Sequence, residues 1–470
     1  MIKFVLNDIN IETSHPPGMT LLDFIRYEKR LVGTKIGCRE GDCGACTILM
    51  GELKDGNMTY QSMTSCITPL INAHGKHIVT IEGINGSDLT PVQQAMVDES
   101  GSQCGFCTVG FVVSLTGECL SGNQSSFDDL IGSIDGNICR CTGYKSIERA
   151  CRQIQKKLEE KDTSDSVQWC SNQKIVPNYF GEIKSRIEKI EAFKKDDGKV
   201  IIGGGTDLLV QKHDHIYESN VYPVFGQKKL KGIDLRDGIC SIGASTSISE
   251  LMQSEEMNSM FPNLFGHMKL VASSPIRNSG TLGGNLVNAS PIGDMTAFFL
   301  ALNSSIVIQN DSDISRIVAL KDFYHSYKTY DLNEGEYLAK IQFEIPGDHT
   351  HFNFEKVSKR THLDIASVNS AMSISLMDHT IQEIHISTGG VAPIPKYLDN
   401  TREYLLGKEL SADAVIEASK IMQNEISPIS DARGSESYKR LLLRQLFWSH
   451  FIELFPDKVE LSTLKTLSTS

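Results

Sequence analysis

Apolar and polar positions change rhythm several times along the chain. Residues 2–6 (IKFVL) and 46–50 (CTILM) are short apolar runs and predict strands. Between them, Thr20 to Arg30 places Leu21, Leu22, Phe24 and Ile25 on one helical face behind Thr20, a residue suited to an N-cap. Residues 78–81 (IVTI) predict a further strand, closed by Glu82 and Gly83. Beyond residue 85 the period turns helical: PVQQAMVDE opens with Pro91 at a first-turn position, and VGFVVSLTGECL and KSIERACRQIQKKLEE follow. EEKDTSDS, residues 159–166, has no apolar periodicity and predicts a linker. From about residue 176 short strands alternate with glycine-rich turns. Past Pro346 a strand-like run, Ala371 to Leu376, precedes C-terminal helices. No internal repeat or low-complexity tract interrupts this order. The pattern predicts a multidomain α+β chain, with a small α+β domain (1–84), a helical domain (85–158), a linker (159–175), a two-part α/β domain (176–348) and an α+β C-terminal domain (349–462).

Composition changes the picture in two ways. The 470 residues are 40% hydrophobic and 22% charged, enough apolar matter for several cores. The net charge of −12 argues against nucleic acid and against an anionic membrane surface as partners. The apolar run at the N-terminus stops at Asn7 and no stretch approaches a membrane span, so a cytoplasmic chain is expected. Twelve cysteines in a reducing compartment then call for an explanation other than disulfides. Ten of them fall between Cys38 and Cys151, which marks the N-terminal part as metal-bearing.

Cys38, Cys43, Cys46 and Cys66, beginning in GCREGDCGACTI, have the spacing C-x4-C-x2-C followed by a distant cysteine, that of a plant-type 2Fe–2S cluster. Three thiolates must converge from one tight loop, and Gly37, Gly41, Gly44 and Ala45 let it turn. A zinc site would ask for a second cysteine pair or a histidine pair, and Cys66 stands alone. Cys104 and Cys107 (GSQCGFCT) and Cys139 and Cys141 (GNICRCTGY) form C-x2-C and C-x-C pairs beside helical patterns. Spacing favours a second cluster there and leaves zinc open. Cys119, Cys151, Cys170 and Cys240 have no partner spacing and are expected to be buried structural thiols.

VIIGGGTDLLV (200–210) is a strand running into a glycine turn without the G-x-G-x-x-G order, so it is not a Rossmann fingerprint. Its bare backbone N–H groups suit a pyrophosphate, with an ordinary turn as the alternative. IRNSGTLGGNLVNASPIGD (276–294) is a second such stretch, able with the first to clamp both ends of a dinucleotide. His213 and His215 have no metal-site context and are expected at the surface.

In this order, GCREGDCGACTI, GSQCGFCT, GNICRCTGY and the two glycine stretches resemble the molybdenum hydroxylases of the xanthine dehydrogenase and aldehyde oxidase family, and the resemblance runs through the closing GGVAPIPKYLDNTREYL. It implies a plant-type ferredoxin-like β-grasp domain, a four-helix 2Fe–2S domain, and a two-part α/β FAD-binding domain of the non-Rossmann, vanillyl-alcohol-oxidase-like type. It implies two 2Fe–2S clusters, held by Cys38, Cys43, Cys46 and Cys66 and by Cys104, Cys107, Cys139 and Cys141, with Gln103 near the molybdenum cofactor. Ile201, Ile202, Gly203, Gly204, Gly205, Thr206, Asp207 and Leu208 would cradle the FAD pyrophosphate. Thr281, Leu282, Gly283, Gly284, Asn285 and Asp294 would hold the ribityl and phosphate region. Lys356, in FEKVSKRTHLDIAS, would lie near the flavin ring, with Lys340 contacting it through backbone and Glu40 and Gly41 approaching its edge. Val109 stands where the family usually has proline. Thr361, His362 and Leu363 differ from the acidic loop of animal members.

Clusters and flavin on one chain of this length match the separate small subunit of bacterial members. The implied activity is electron transfer from a molybdenum cofactor on a partner large subunit, through the clusters to FAD and then NAD⁺, in a heterotetramer of two small and two large subunits oxidising purines. Oxygen as acceptor, or another N-heterocycle or an aldehyde as substrate, are the alternatives. An iron–sulfur redox sensor is a further class, disfavoured by the FAD loops and the lack of a basic recognition element. No residue is assigned as catalytic acid, base or nucleophile, because the hydride chemistry belongs to the cofactor.

Overall fold

Strands from the first eighty residues make one mixed sheet, in the order Ile9–Thr13, Ile2–Leu6, His77–Val79, Thr47–Lys54 and Asn57–Thr64. Ile2–Leu6 runs parallel to His77–Val79 and the other neighbours pair antiparallel. Phe4, Leu21, Leu22, Phe24, Ile48, Ile67 and Leu70 fill the space beneath it. The computed structural model describes residues 1–193, 200–310, 312, 314–360 and 363–469, with helix side chains as far as residue 466. Thr361 and His362 lie outside the described residues.

Two local expectations change. Thr20 does cap a helix, its hydroxyl accepting from the Asp23 N–H at 3.2 Å. The regular helix lasts only through Leu21–Asp23, however, and Phe24–Glu28 opens into a wider π-turn in which Lys29 N–H reaches Phe24 O at 3.1 Å. Arg30, at φ 55°, ends it, while Arg26 holds the exit loop through the carbonyls of Val32 and Thr34. The strand expected to reach Ile81 stops at Val79, because the Asn7 side chain accepts the Thr80 N–H at 2.9 Å in place of a ladder partner. Ile81–Ile84 is then a helical turn.

Helices Pro91–Asp98, Thr108–Cys119, Phe127–Ser133 and Lys145–Leu158 follow. Thr90 with Gln93 and Ser126 with Asp129 form capping boxes, satisfying first-turn N–H groups reciprocally. Val109 sits in the first turn of its helix, where proline is also tolerated. Residues 159–175 are not linker throughout. Ser166–Asn172 is a helix capped by Asp165, and it buries Cys170 completely among the helical-domain side chains. The polar stretch ends where a new apolar stripe begins. Beyond it, Val200–Ile202 pairs parallel with Val221–Pro223, and the helices Leu208–Gln211 and His213–Glu218 lie between them in sequence.

The chain forms two compact units, one of Met1–Phe225 with Ser273–Gly280, the other of Gly226–Ala272 with Thr281–Ser470. The second unit holds an antiparallel sheet in the order Ser315–Ala319, Ser305–Asn310, Glu336–Glu344, Ile239–Gly243, Ile233–Arg236. Helices including Ile248–Gln253, Leu282–Val287 and Asp294–Leu300 pack with this sheet in one core, where Phe261, Phe298, Phe299 and Phe343 meet edge to face or tilted. A second antiparallel sheet, Thr350–Val357, Val368–Met377, Thr380–Gly389 and Lys396–Tyr397, is backed by Ala412–Glu425 and Glu436–Leu454. Among the described residues no helix is long and apolar enough to cross a membrane.

Candidate cofactor sites

The loop carrying the first cysteines is bent by Arg39, Gly41 and Gly44, with φ of 62°, 84° and 68°. Glycine suits this left-handed conformation, whereas Arg39 is held in it by a two-toothed ion pair with Asp23, at 2.7 and 3.1 Å. The Asp23 carboxyl is half-buried, which alone would raise its pKa, but the Arg39 and Thr20 hydrogen bonds outweigh burial and hold it below the ordinary value. The loop turns its amides onto sulfur. Cys38 N–H donates to Cys43 Sγ and Glu40 N–H to Cys38 Sγ, both at 3.3 Å.

The four thiols form a string in which Cys38 faces Cys43 and Cys66, and Cys66 faces Cys46. These contacts hold Cys38 and Cys46 below the ordinary thiol value and push Cys43 and Cys66 above it. Cys46 and Cys66 are buried, while Cys38 and Cys43 are partly exposed.

The second four meet in twos. Cys104 and Cys141 sulfurs lie 3.9 Å apart at the surface, and Cys107 faces Cys139. Each pair thus takes one thiol from C-x2-C and one from C-x-C. Burial, followed by the Cys139 sulfur, pushes Cys107 up to about 12. Cys139 is lowered against the effect of burial by the Thr142 hydroxyl, 3.1 Å from its sulfur. Sequence reasoning missed Thr142 and also Tyr144, whose hydroxyl accepts the Cys139 N–H at 3.1 Å. Gln103 donates to the Cys141 carbonyl at 3.2 Å. Among the described residues no three metal-ligating side chains close on a single ion position. Thiols arriving in twos fit a two-iron cluster, in which four cysteines are shared between two metal atoms.

The two cysteine groups are physically joined. Ile138 N–H donates to Cys43 O at 3.1 Å, one residue before Cys139, and Asn137 Nδ2 donates to Gly44 O at 3.2 Å. Helix Thr108–Cys119 comes so close that a Cβ on Gly110 would lie 2.2 Å from Gly44 O. The glycine turn packs against the same domain. Asn72 Nδ2 donates to Gly203 O at 3.0 Å, and a Cβ on Gly205 would lie 2.8 Å from the carbonyl oxygen of Ile67, next to Cys66.

Ile201 and Ile202 end the short strand, while Thr206 and Asp207 lead into the helix at Leu208. In the turn between, Gly204 and Gly205 are buried, and Gly205 has a φ of 88°.

The second unit holds the remaining expected FAD residues. Thr281 caps helix Leu282–Val287 by accepting the Gly284 N–H at 3.1 Å, and Gly283 packs on Ala244. Among the described residues the buried Asn285 Oδ1 has no hydrogen-bond partner, an acceptor suited to a bound donor. Asp294 accepts from Lys356 Nζ and from Asn369 Nδ2, both at 2.6 Å, and Lys356 also donates to Leu270 O at 2.8 Å. Lys356 is 2% exposed, so this pair is an interior one. Asn369 was not legible in the sequence, since it lies in an ordinary strand. Lys340 stands mid-strand with its side chain exposed, in register with Val307 on one neighbouring strand and Gly243 on the other. Cys119, Cys151, Cys170 and Cys240 are fully buried, as expected.

Comparison with known proteins follows the same order along the chain. Residues 4–70 match a 2Fe-2S iron-sulfur cluster binding domain and residues 80–152 a 2Fe-2S binding domain. Residues 182–346 match the FAD binding domain in molybdopterin dehydrogenase, and residues 354–454 the CO dehydrogenase flavoprotein C-terminal domain. These four matches make the chain similar, domain by domain, to the iron–sulfur and flavin electron-transfer part of the molybdenum hydroxylases. Its relatives include xanthine dehydrogenase 1 of Arabidopsis thaliana, 25% identical over 92% of this chain and 38% of that protein. Xanthine dehydrogenase of Emericella nidulans is 27% identical over 88% of this chain and 36% of that protein. The chain therefore spans well under half the length of these curated relatives. Among solved structures, carbon monoxide dehydrogenase from Hydrogenophaga pseudoflava aligns with a TM-score of 0.50 at 25% identity, covering 53% of this chain and 86% of that one.

Proposed function

We propose that this chain is the iron–sulfur and FAD subunit of a xanthine dehydrogenase, relaying electrons from a molybdenum cofactor on a partner large subunit to NAD⁺ in the oxidation of hypoxanthine and xanthine to urate. The carrying observation is that both groups of four cysteines and the glycine turn lie in one unit, the cysteine groups joined by the Ile138–Cys43 hydrogen bond and the turn held by Asn72. The relatives' names support purine as the substrate class. Cys38, Cys43, Cys46 and Cys66 would hold one cluster and Cys104, Cys107, Cys139 and Cys141 the other. The glycine turn, Thr281–Asn285, Asp294 and Lys356 would hold FAD. When bound, the clusters supply one-electron storage and FAD supplies the exchange between one electron and a hydride.

The chain's own share is to hold these groups. Amides on Cys38 and Glu40 and the Thr142 hydroxyl point at sulfur and stabilise its negative charge, which tunes a cluster's potential. Lys356 and Asp294 form a buried ion pair, held further by Asn369 and the Leu270 carbonyl, among the residues that would hold FAD.

Anaerobic purification of the full chain is expected to give about four irons and four acid-labile sulfides by the count of two Cys₄ 2Fe–2S clusters, one FAD, and NADH oxidation with an artificial acceptor. A colourless protein, or one without iron, overturns the reading. Iron and flavin with no NADH oxidation but rapid reaction of the reduced chain with oxygen would replace NAD⁺ by oxygen as acceptor. Co-purification of a molybdenum-bearing chain, followed by a panel of purines, other N-heterocycles and aldehydes, tests substrate class and assembly.

A further inference from the structure

The short helix Ser274–Ser279 belongs to the first unit, although residues 226–272 of the other unit separate it from the preceding part of the first. It touches two loops and a strand at once. Asp135, four residues before Cys139, accepts the Ser274 N–H through Oδ1 and Arg277 Nη2 through Oδ2, both at 2.7 Å. Arg277 is 5% exposed and Asp135 21%, so this ion pair is partly shielded from solvent. A Cβ on Gly136 would lie 2.9 Å from Pro275 Cδ, which places the backbone of the second cysteine loop directly on the helix. At the other end, a Cβ on Gly204 would lie 1.7 Å from Ser279 O, so the glycine turn is seated on the helix's last residue. Between them, Asn278 Nδ2 donates to Ser62 O at 2.9 Å, on the strand that leads to Cys66.

We propose that the Asp135–Arg277 pair couples the second cysteine loop to the glycine turn, so that filling the cluster site and binding FAD strengthen each other, with Arg277 as a positioning residue. The inference rests on the cofactor reading above. Asp135 stands four residues before Cys139, and the Arg277 that it holds shares a helix with Ser279, on which Gly204 sits. A cluster that fixes the loop therefore fixes the helix end on which the turn sits. Reciprocity requires the same factor in both directions.

The test uses the full chain and its FAD affinity, measured by flavin fluorescence after flavin removal, with iron content determined on each sample. In the otherwise unaltered chain, removing the second cluster by Cys139→Ser with Cys141→Ser is expected to weaken FAD binding by about tenfold. Asp135→Asn is expected to weaken it by about as much with both clusters present, and cluster removal should then add little. Arg277→Lys keeps the charge and is expected to restore most of the coupling. Thermal melts confirm that each variant is folded. If Asp135→Asn retains full iron and binds FAD as tightly as the unaltered chain, the proposal is wrong. It is equally wrong if cluster removal weakens FAD by the same factor in both backgrounds. An unaltered chain that takes up no iron or no FAD overturns the functional reading itself.

Discussion

Lys356 and Asp294 form an interior pair that desolvation makes costly to break. Lys356→Met removes the cation and leaves Asp294 the Asn369 amide among the described residues, and is expected to cost about 3–5 kcal/mol, read by denaturant unfolding and by loss of flavin. Adding Asp294→Asn should recover part of the stability but not the flavin affinity, because no uncompensated charge then remains. His450 is a different case. It is completely buried, with Asn353 Nδ2 at 3.1 Å and Ser370 Oγ at 3.0 Å, and burial drives its pKa down to about 3. The unfolded chain takes up a proton near pH 6.5 while the folded chain does not, so the contribution is complete above that value. It is lost as the pH falls towards 3, by about 1.4 kcal/mol per pH unit. Subtracting the pH profile of His450→Gln from that of the natural chain is expected to leave this slope.

Helix starts in the iron–sulfur part are set by local side chains, and their loss should stay local. Ser126→Ala removes the capping box of Phe127–Ser133 and is expected to cost about 1 kcal/mol with iron content unchanged. Gly110→Ala should act differently, although it is a small change inside a helix. Its Cβ meets the Gly44 carbonyl, so helix and cysteine loop must separate, costing about 1–3 kcal/mol. Iron measured per chain is expected to fall in that variant, and alanine's better helix propensity will not compensate.

Two compact units predict two unfolding transitions for the full chain in scanning calorimetry. All eight expected cluster ligands lie in the first unit. Stripping iron with a chelator is therefore expected to lower the transition of that unit and leave the other in place, since metal binding free energy is folding free energy only for the unit that holds it. A single transition that shifts as a whole would show the units to be thermodynamically one.

Cysteine spacing was legible without a structure, because thiolates that share a cluster from one loop must recur at short fixed intervals. Thr20, through a hydrogen bond made within one turn, and Pro91, through its fixed backbone angle, likewise announced helix starts. The π-turn after Asp23 and the early end of the strand at Val79 depended on partners further along the chain or in another strand. Arg26 reaches Val32 and Thr34, and Asn7 reaches Thr80 across the sheet. Asp135 with Arg277, and Asn369 with Asp294, lie beyond any local signal, 142 and 75 residues apart. Local order was written in the sequence because its interactions close over one turn or one loop. The ties between loops were decided only by the folded chain, since an ion pair between distant residues leaves no period and no spacing to read.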